Sequence, residues 1–332
     1  MTITTSAPVA KPVPVRRTAW LVFLWLLVLP GAVWVVLRVG GWDRGPLVQL
    51  FAFTPYVAAW SVVPLAVALA TRRWLAAAVA AVTLALFGVT VLPRALADGD
   101  RGPQTGVKMH VMTSNMLFGG ADAAQIVQLV RDNDVAVLAL QEFTPTAQTR
   151  LAEAGLGQLL PYSSLGPEYG AGGSGLYSRF PITNPGIRVN GGFFHQAYGT
   201  IQPTGAGPLT LESAHPLAPF SVDVVDRWRA DLEAEPRADP KGPPRILLGD
   251  FNATLDHQPL RELIDSGYRD AADATGNGLI GTWGPYDGGA IPPVTIDHVL
   301  VDNRLGVVAA DIHDIRGSDH RSIIAEVVLP KA

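Results

Sequence analysis

Residues 245–254, RILLGDFNAT, join an apolar run to side chains that can do chemistry. The run 246–248 predicts a strand buried on both faces, which ends at Gly249. Residues two apart in an extended chain point the same way, so Asp250 and Asn252 leave this strand side by side. Strand ends are where α/β folds place ligand-binding groups. The alternative interpretation of this motif alone is a strand followed by an Asx turn.

Other predicted strands also end in polar side chains. Residues 107–113 lead to Asn115, residues 135–140 to Glu142, and residues 210–214 to His215. A carboxylate at a strand end is often merely solvated, and a lone histidine is more often structural than functional. We assign the structural role to His195, His257, His298 and His313.

Two motifs near the C-terminus supply an acid and a histidine. Asp297 lies on the predicted strand 295–301, TIDHVLV, and Asp319 and His320 precede the predicted final strand 323–329. Adjacent residues of an extended chain face opposite ways, so Asp319 and His320 can serve different partners. A histidine that transfers protons is generally oriented by a carboxylate on its other ring nitrogen. Asp297 is the candidate for that carboxylate.

Helices are predicted between these strands by their caps and periodicity. Asp122 and Gln125 form a start similar to a capping box before an amphipathic helix. Residues 220–235 predict a second helix. Asp256 is expected to cap a third helix, which Gly267 ends. Alternating strands and helices indicate an α/β domain over residues 107–330.

The N-terminal part of the chain is apolar enough to enter a membrane. Three stretches, about 18–37, 47–70 and 74–93, carry no charge and have roughly the 20 residues that a helix needs to cross hydrocarbon. We predict three transmembrane helices, preceded by a leader at 1–17 and followed by a linker at 94–106. A cleaved signal peptide is the alternative for the first stretch.

The basic residues of this region predict its orientation. Lys11, Arg16 and Arg17 in the leader, and Arg72 and Arg73 in the turn before the third stretch, indicate the cytoplasmic side. An odd number of spans then places the second domain outside the cytoplasm. We therefore expect a multi-pass protein of the cell membrane with an extracytoplasmic catalytic domain.

Charge and composition exclude some functions. Residues 1–93 hold seven of the 25 basic and one of the 29 acidic residues, which leaves 18 and 28 and a net charge of −10 in residues 94–332. Affinity for DNA comes largely from basic side chains that neutralise phosphates, so no nucleic-acid partner is expected. The chain has no cysteine, which excludes disulfides, thiolate zinc sites and a cysteine nucleophile.

The motifs together resemble the endonuclease/exonuclease/phosphatase superfamily. They follow one another in the order SNM at Asn115, QE at Glu142, SRFPI, AHP at His215, GDFN at Asp250, IDH at Asp297 and SDH at His320. The resemblance covers residues 107–330 and implies a four-layer α/β sandwich of the DNase I type, with two mixed sheets flanked by helices. When the three predicted spans are included, the whole chain resembles the actinobacterial VanJ-type teicoplanin-resistance membrane proteins.

The resemblance also implies roles for individual residues. Glu142 would be the principal Mg²⁺ ligand, with Asn115 helping and Asp319 close by. His320, oriented by Asp297, would be the general acid or base, and Asp250 would orient or deprotonate water. Asn252 and His215 would hold phosphate oxygens. Oxygen ligands suit a hard cation such as Mg²⁺ or Mn²⁺.

One departure from the family pattern concerns the residues before the IDH motif. Family members often have a basic residue there, where this chain has Thr295 and Ile296. The difference removes one possible phosphate contact and leaves substrate identity more open, but it does not affect the predicted catalytic residues.

The predicted topology favours a phosphorylated lipid as substrate, because the membrane lies beside the domain. A polyprenyl pyrophosphate such as undecaprenyl pyrophosphate is our first hypothesis, with a role in lipid-carrier recycling. The alternatives are an extracytoplasmic nuclease or phospholipase C-like phosphodiesterase, and a non-enzymatic membrane receptor. The aromatic residues Phe193, Phe194, Trp283 and Tyr286 could form an apolar rim against lipid, or serve as ordinary core and loop residues.

Overall fold

The computed structural model describes residues 15–284 and 289–332. The predicted leader up to residue 14, and Tyr286, lie outside the described residues. Two six-stranded sheets pack face to face, and helices cover their outer surfaces. This arrangement confirms the predicted α/β sandwich with two mixed sheets.

The strands are short and evenly spread through the domain. In chain order they are β1 Val107–Asn115, β2 Val135–Gln141, β3 Tyr162–Gly166, β4 Ser174–Ser178, β5 Thr183–Val189, β6 His195–Ile201, β7 Leu209–Ala214, β8 Arg245–Asp250, β9 Tyr268–Asp270, β10 Asp297–Asp302, β11 Gly306–Asp314 and β12 Arg321–Leu329. The first sheet has the order β11-β12-β1-β2-β4-β3, and the second has the order β5-β6-β7-β8-β10-β9.

The helices fall into an N-terminal apolar group and an outer layer of the domain. The N-terminal group is α1 Val15–Val39, α2 Leu47–Phe51, α3 Thr54–Trp60, α4 Val62–Ala70, α5 Trp74–Val91 and a 3₁₀ turn at Leu92–Ala95. The others are α6 Ala123–Asp132, α7 Pro145–Glu153, α8 Leu156–Leu159, a 3₁₀ turn at Val222–Val224, α9 Val225–Glu233, α10 Gln258–Asp265 and α11 Ala271–Ala274.

The main core lies between the two sheets. Val111 and Val137 from the first sheet meet Ile246, Leu248 and Val299 from the second, all fully buried. The opposite faces of these central strands are buried too, under α6 and α7 on one side and under α9 and α10 on the other. Burial on both faces explains why β2 and β8 are continuous apolar runs without alternation.

Each sheet contains one parallel pair at its centre, β1 with β2 and β7 with β8. Helix α6 makes the crossover between β1 and β2, and the Asp122 side chain accepts a hydrogen bond from the Gln125 amide, as the sequence predicts. In the other pair, Gly249 passes so close to β7 that a Cβ there would lie 1.9 Å from the Ala214 carbonyl oxygen. This contact explains the glycine before Asp250.

The prediction of three continuous apolar spans is wrong for the second one. Within the part of the chain that the structure describes, two helices are long and apolar enough to cross a membrane, at Thr18–Val39 and Trp74–Ala95, whereas residues 47–70 form three short helices. Pro55 lies in the first turn of the second of these short helices. The first of them is held by the domain, because the Val48 carbonyl lies 2.8 Å from His257 Nε2 and the Gln49 amide donates to the Pro219 carbonyl.

The predicted cap at Asp256 is also wrong, because long-range partners take its carboxylate. Asp256 accepts hydrogen bonds from Arg38 at 2.8 Å and from two guanidinium nitrogens of Arg94 at 2.7 and 2.8 Å. Residue 257 precedes α10, and the first amide of that helix, on Gln258, donates instead to Asp43. We call Arg38, Arg94 and Asp256 the Asp256 cluster; it joins both long apolar helices to the domain.

The predicted linker 94–106 is packed along the domain. The Asp98 amide donates to the Ala274 carbonyl, and the Arg101 guanidinium donates to the Val308 carbonyl. The long helices are therefore not tethered by a free chain, and their position relative to the domain is set by direct contacts.

Candidate active site

The strand register brings the predicted residues to one edge of the sandwich. In the second sheet, Asp297 at the start of β10 is the direct partner of Asp250 at the end of β8. In the first sheet, Asn115 pairs with Gln141, so β1 and β2 end together and Glu142 follows immediately. Because the two sheets stack, these ends meet across the sandwich.

Asp250 lies at the centre of this site. Its Oδ2 accepts a hydrogen bond from Asn115 Nδ2 at 3.0 Å, which links the second sheet to the first. The same oxygen lies 3.7 Å from His320 Nε2 and 3.8 Å from His215 Nε2. Its other oxygen accepts the Asn252 amide at 2.8 Å, which fixes the carboxylate at the strand end.

His320 and Asp297 form a buried pair. His320 Nδ1 lies 2.9 Å from Asp297 Oδ2, so that nitrogen carries a proton toward the carboxylate, and Nε2 faces Asp250. The amides of Asp297 and Ile296 both donate to Thr282 Oγ1, which holds the start of β10 in place. The structure thus places a carboxylate against one ring nitrogen of His320, as the sequence predicts.

Glu142 and Asp319 supply further carboxylate oxygens to the site. Glu142 Oε2 accepts the Phe118 amide at 2.7 Å, and Oε1 accepts Asn115 Nδ2 at 3.3 Å. Asp319 Oδ1 is buried and accepts no hydrogen bond among the described residues, and His320 Nε2 lies 3.9 Å from it. A buried carboxylate oxygen without a hydrogen bond is costly unless positive charge nearby compensates it. Oxygen atoms of this kind fit a hard divalent cation.

Asn115 acts as a donor in this arrangement. Its Nδ2 faces the carboxylates of Glu142 and Asp250, while its Oδ1 accepts the Leu117 amide at 3.0 Å. An asparagine binds a cation through oxygen, so ligation by Asn115 requires its amide to turn over. Its predicted role as a metal ligand stays a prediction.

A second group of side chains could also hold a cation. Ligand atoms of Asp250, Asp297 and His320 all lie within 4.8 Å of one another, and all three side chains are buried. However, His320 and Asp297 already bind each other, which a cation between them would disrupt. We therefore favour Glu142 and Asp319 as the cation ligands.

The backbone at the site is strained at two of the predicted residues. Glu142 has φ of +53° and Asn252 has φ of +48°. Asparagine tolerates this left-handed region, but glutamate rarely adopts it. Such conformations persist where the surroundings fix them, and they cluster at functional sites. The turn at Glu142 lets its carboxylate leave the strand toward Asn115.

The remaining predicted residues line the same edge. The Asn252 amide nitrogen donates to the Pro216 carbonyl at 3.0 Å, which ties the end of β8 to the loop after His215. The His215 ring packs on Phe194 with centroids 4.6 Å apart, and its backbone amide donates to Gln196. All eight predicted site residues therefore lie at the same edge of the sandwich.

Burial and neighbouring charges shift the protonation of these groups. Burial lowers the pKa of His215 to about 3, and the nearby His320 adds to this effect. For His320, burial disfavours the protonated ring, but the carboxylates of Asp297 and Asp250 outweigh it and raise the pKa to about 10. Burial raises the pKa of Asp250 and that of Glu142. In the metal-free protein at neutral pH, His320 is charged and His215 is neutral.

Two contacts at the site were not predicted. Trp283 Nε1 donates to Asp319 Oδ2 at 2.9 Å, so this tryptophan orients a carboxylate and is not part of an apolar rim. Ser318 Oγ donates to the Asn115 carbonyl and accepts the His320 amide, which joins β1 to the SDH motif. The serine of the SDH motif is the sequence feature that could have indicated this second contact. Of the predicted rim, Phe193 is 71% exposed and Phe194 packs on His215.

Comparisons with known proteins agree with this arrangement. The sequence model of the Endonuclease/Exonuclease/phosphatase family matches residues 112–320. A comparison with curated protein sequences finds no significant match.

Several solved structures share the fold at low sequence identity. An endonuclease/exonuclease/phosphatase from Beutenbergia cavernae superposes with a TM-score of 0.55 and 18% identity, over 67% of this chain and 72% of that one. A family protein from Bacteroides thetaiotaomicron gives 0.51 and 17%, over 68% and 99%. Truncated TDP2 from Caenorhabditis elegans gives 0.51 and 18%, over 69% and 100%.

The family match covers more than half of the chain, and it spans every motif from the end of β1 to His320. The chain therefore belongs to the Endonuclease/Exonuclease/phosphatase family, whose members are hydrolases that act on phosphodiester bonds.

Proposed function

We propose that this protein is a membrane-anchored, divalent-metal-dependent phosphoesterase that hydrolyses a phosphorylated lipid. The observation that carries the proposal is the position of the apolar helices. Several of their contacts with the domain lie on the loops that flank the catalytic strand ends, and Asp43, after α1, also binds Arg229 on α9. Gln49 donates to Pro219 in the loop after His215, Arg38 and Arg94 bind Asp256, and Tyr56 donates to Pro293.

The two long apolar helices are largely exposed on the protein, which favours a membrane location. Only 17% of the most apolar window of Thr18–Val39 and 33% of that of Trp74–Ala95 are buried within the protein. Large apolar side chains such as Leu26, Val36 and Val89 are exposed. Exposed apolar surface on this scale marks contact with lipid or another protein. Helix α1 also packs against α4 and α5, a contact that a cleaved signal peptide would not retain.

The helix ends support an extracytoplasmic domain. Arg38 near the end of α1 and Arg94 just after α5 bind the same carboxylate, so both helices end at the domain. Their beginnings, near Arg17 and Arg73, lie at the opposite end. Basic residues next to transmembrane segments favour the cytoplasmic side. Five lie at the helix beginnings (Lys11, Arg16, Arg17, Arg72 and Arg73), against four at the domain end (Arg38, Arg44, Arg94 and Arg101), so the excess favours a domain outside the cytoplasm.

Each site residue would then have a separate role in the reaction. Asp250, whose pKa burial raises, positions and deprotonates the attacking water. His320, held protonated by Asp297, donates a hydrogen bond or a proton to an oxygen of the phosphoryl group. His215 and Asn252 hold phosphate oxygens. Mg²⁺ or Mn²⁺ at Glu142 and Asp319, when bound, supplies positive charge to the phosphoryl oxygen and the leaving group.

For the substrate we propose a lipid pyrophosphate such as undecaprenyl pyrophosphate. This activity would serve cell-envelope lipid-carrier recycling and glycopeptide (teicoplanin) resistance, as in the VanJ-type membrane proteins that the sequence resembles. The net charge of −10 in residues 94–332 argues against a nucleic-acid substrate.

The test uses the full chain in lipid nanodiscs with Mg²⁺. Polyprenyl pyrophosphate, a sphingomyelin or phosphatidylcholine bilayer, and double-stranded DNA are offered separately, and Glu142→Gln is the inactive control. We expect phosphate release from the pyrophosphate alone. Release of a phosphorylated headgroup would favour the phospholipase C-like alternative, and DNA cleavage at a comparable rate would favour a nuclease. No turnover of any substrate would favour the receptor.

A further inference from the structure

A cavity of about 240 Å³ lies between the apolar helices and the catalytic loops, beside the site already described. One wall is formed by Ala52, Tyr56 and Ala59 of the N-terminal helices. The opposite wall is formed by Leu255 and Thr295, which belong to the loops next to Asn252 and Asp297. The cavity is thus bounded by lipid-facing helices on one side and by the active-site loops on the other.

We propose that this cavity binds the first part of the apolar chain of the phosphorylated substrate. This inference rests on the proposed function, and it assigns the site that distinguishes a lipid phosphate from a soluble one. The cavity lies close enough to the catalytic groups for this role. Thr295 is two residues from Asp297, so their Cα atoms are at most about 7 Å apart.

The size and lining of the cavity fit a single chain. Most of its accessible lining is apolar. Its volume is somewhat below the roughly 300–1,000 Å³ of ordinary ligand pockets, so it can enclose only a few carbons of a chain. The rest of the chain would stay in the bilayer. A double-chained lipid would have to leave one chain outside.

The mouth of the cavity lies at the surface of the apolar helices. Its lining residues Ala59, Tyr56 and Leu279 are exposed, and Ile280 and Trp60 beside them are exposed as well. An apolar chain could pass from the bilayer to the cavity along this surface without crossing water. The Tyr56 hydroxyl donates to the Pro293 carbonyl at 2.6 Å and fixes α3 against the loop that leads to Asp297.

Part of the cavity wall is charged. Arg94 and Asp256 line it, and Asp256 is shared with Arg38, so the Asp256 cluster carries a net positive charge. A positive charge in the wall of an apolar cavity favours an anionic ligand nearby over a neutral one. The phosphate itself would lie at the catalytic groups, and only the adjoining part of the chain would lie in the cavity.

The test compares chain-length discrimination in two cavity variants and a control. Ala59→Trp and Leu279→Trp narrow the cavity from opposite walls, and both positions are exposed, so both variants should fold. Ala85→Trp makes the same change on an exposed face of α5 outside the cavity. We expect the ratio of kcat/KM for a long-chain over a short-chain alkyl pyrophosphate to fall about tenfold in the cavity variants, as when roughly two methylene groups lose their burial. Ala85→Trp should keep the wild-type ratio.

A second readout does not need turnover. A long-chain alkyl monophosphate with a diazirine in its chain is photolysed with wild-type protein in nanodiscs, and labelled peptides are identified by mass spectrometry. Labels on residues 52–59 that Ala59→Trp removes support the cavity. Labels elsewhere, or equal labelling by the uncharged alkyl alcohol, overturn it. If labelling succeeds but no lipid is hydrolysed, the proposed function fails and the cavity assignment stands.

Discussion

The Asp256 cluster yields the sharpest prediction about how the apolar helices and the domain depend on each other. The Asp256 side chain is fully buried, and the Arg38 and Arg94 side chains are only 10% and 7% exposed. Asp256→Asn keeps the shape but removes the carboxylate that two buried guanidinium groups share. Breaking a buried ion pair from one side costs about 3–5 kcal/mol of unfolding free energy.

The assay is thermal unfolding of the full chain in detergent, with Asp314→Asn as the matched control. A loss of this size should lower Tm by roughly 4–7 °C, because the unfolding entropy of a chain of this length is about 0.7 kcal/mol per degree. Asp314 forms an ion pair with Arg321 at 2.6 Å, but the Asp314 side chain is 81% exposed. An exposed pair contributes about 0–1 kcal/mol, so the control should unfold near the wild-type temperature. If Asp256→Asn unfolds as late as Asp314→Asn, the cluster does not join the helices to the domain.

The pH dependence of this stability has a defined sign. Burial alone would raise the pKa of Asp256, but the ion pairs with Arg94 and Arg38 outweigh it and hold the pKa below its ordinary value. The folded protein therefore binds fewer protons at this group than the unfolded chain does. The contribution is present above the unfolded pKa of about 4 and is lost as pH falls through the folded pKa. Asp256→Asn should lack this acid-dependent loss.

Three further predictions concern the site itself. Glu142→Gln should reduce kcat at least about a hundredfold and abolish the rise in Tm that excess Mg²⁺ gives the wild type; retained metal-dependent stabilisation would place the ion elsewhere. Asp297→Asn should lower the pKa of His320, read by NMR in the metal-free protein, toward about 6.5 and reduce activity about 10²–10⁴-fold. Because folding raises this pKa to about 10, the pair stabilises the wild type below about pH 6.5 and stops doing so as pH rises through 10, and the variant should lack that alkaline loss. Phe193→Ala, at an exposed position, should slow turnover of a lipid in vesicles and not that of a soluble phosphoester; equal slowing of both would exclude a role at the membrane surface.

Much of the active site could be predicted because strand ends carry local signals. The apolar run before Asp250 indicates a buried strand, and its register against β10 places Asp297 beside Asp250. Burial of β2 on both faces likewise predicts that the chain must leave the sheet near Glu142. In both cases the side chain lies within two residues of the strand that positions it, so the local residue pattern is enough to predict its place.

The errors concern residues whose partners are far away in sequence. Asp256 stands where a helix cap is expected, but Arg38 and Arg94 lie 218 and 162 positions from it and take its carboxylate. The apolar residues 47–51 look like the start of a span, yet Val48 packs into the outer core of the domain. The sequence around Trp283 indicates an ordinary loop aromatic, but in the structure its indole nitrogen donates a hydrogen bond to Asp319. No local pattern carries this information.

The position of a bound ion tests most directly the claim that the strand ends form one metal-dependent site. Crystals of the protein grown with Mn²⁺ would show the ion by its anomalous scattering. We predict one peak within about 2.0–2.2 Å of carboxylate oxygens of Glu142 and Asp319, with His320 still bound to Asp297. A peak enclosed by Asp250, Asp297 and His320, or no peak at this edge of the sandwich, would contradict the claim.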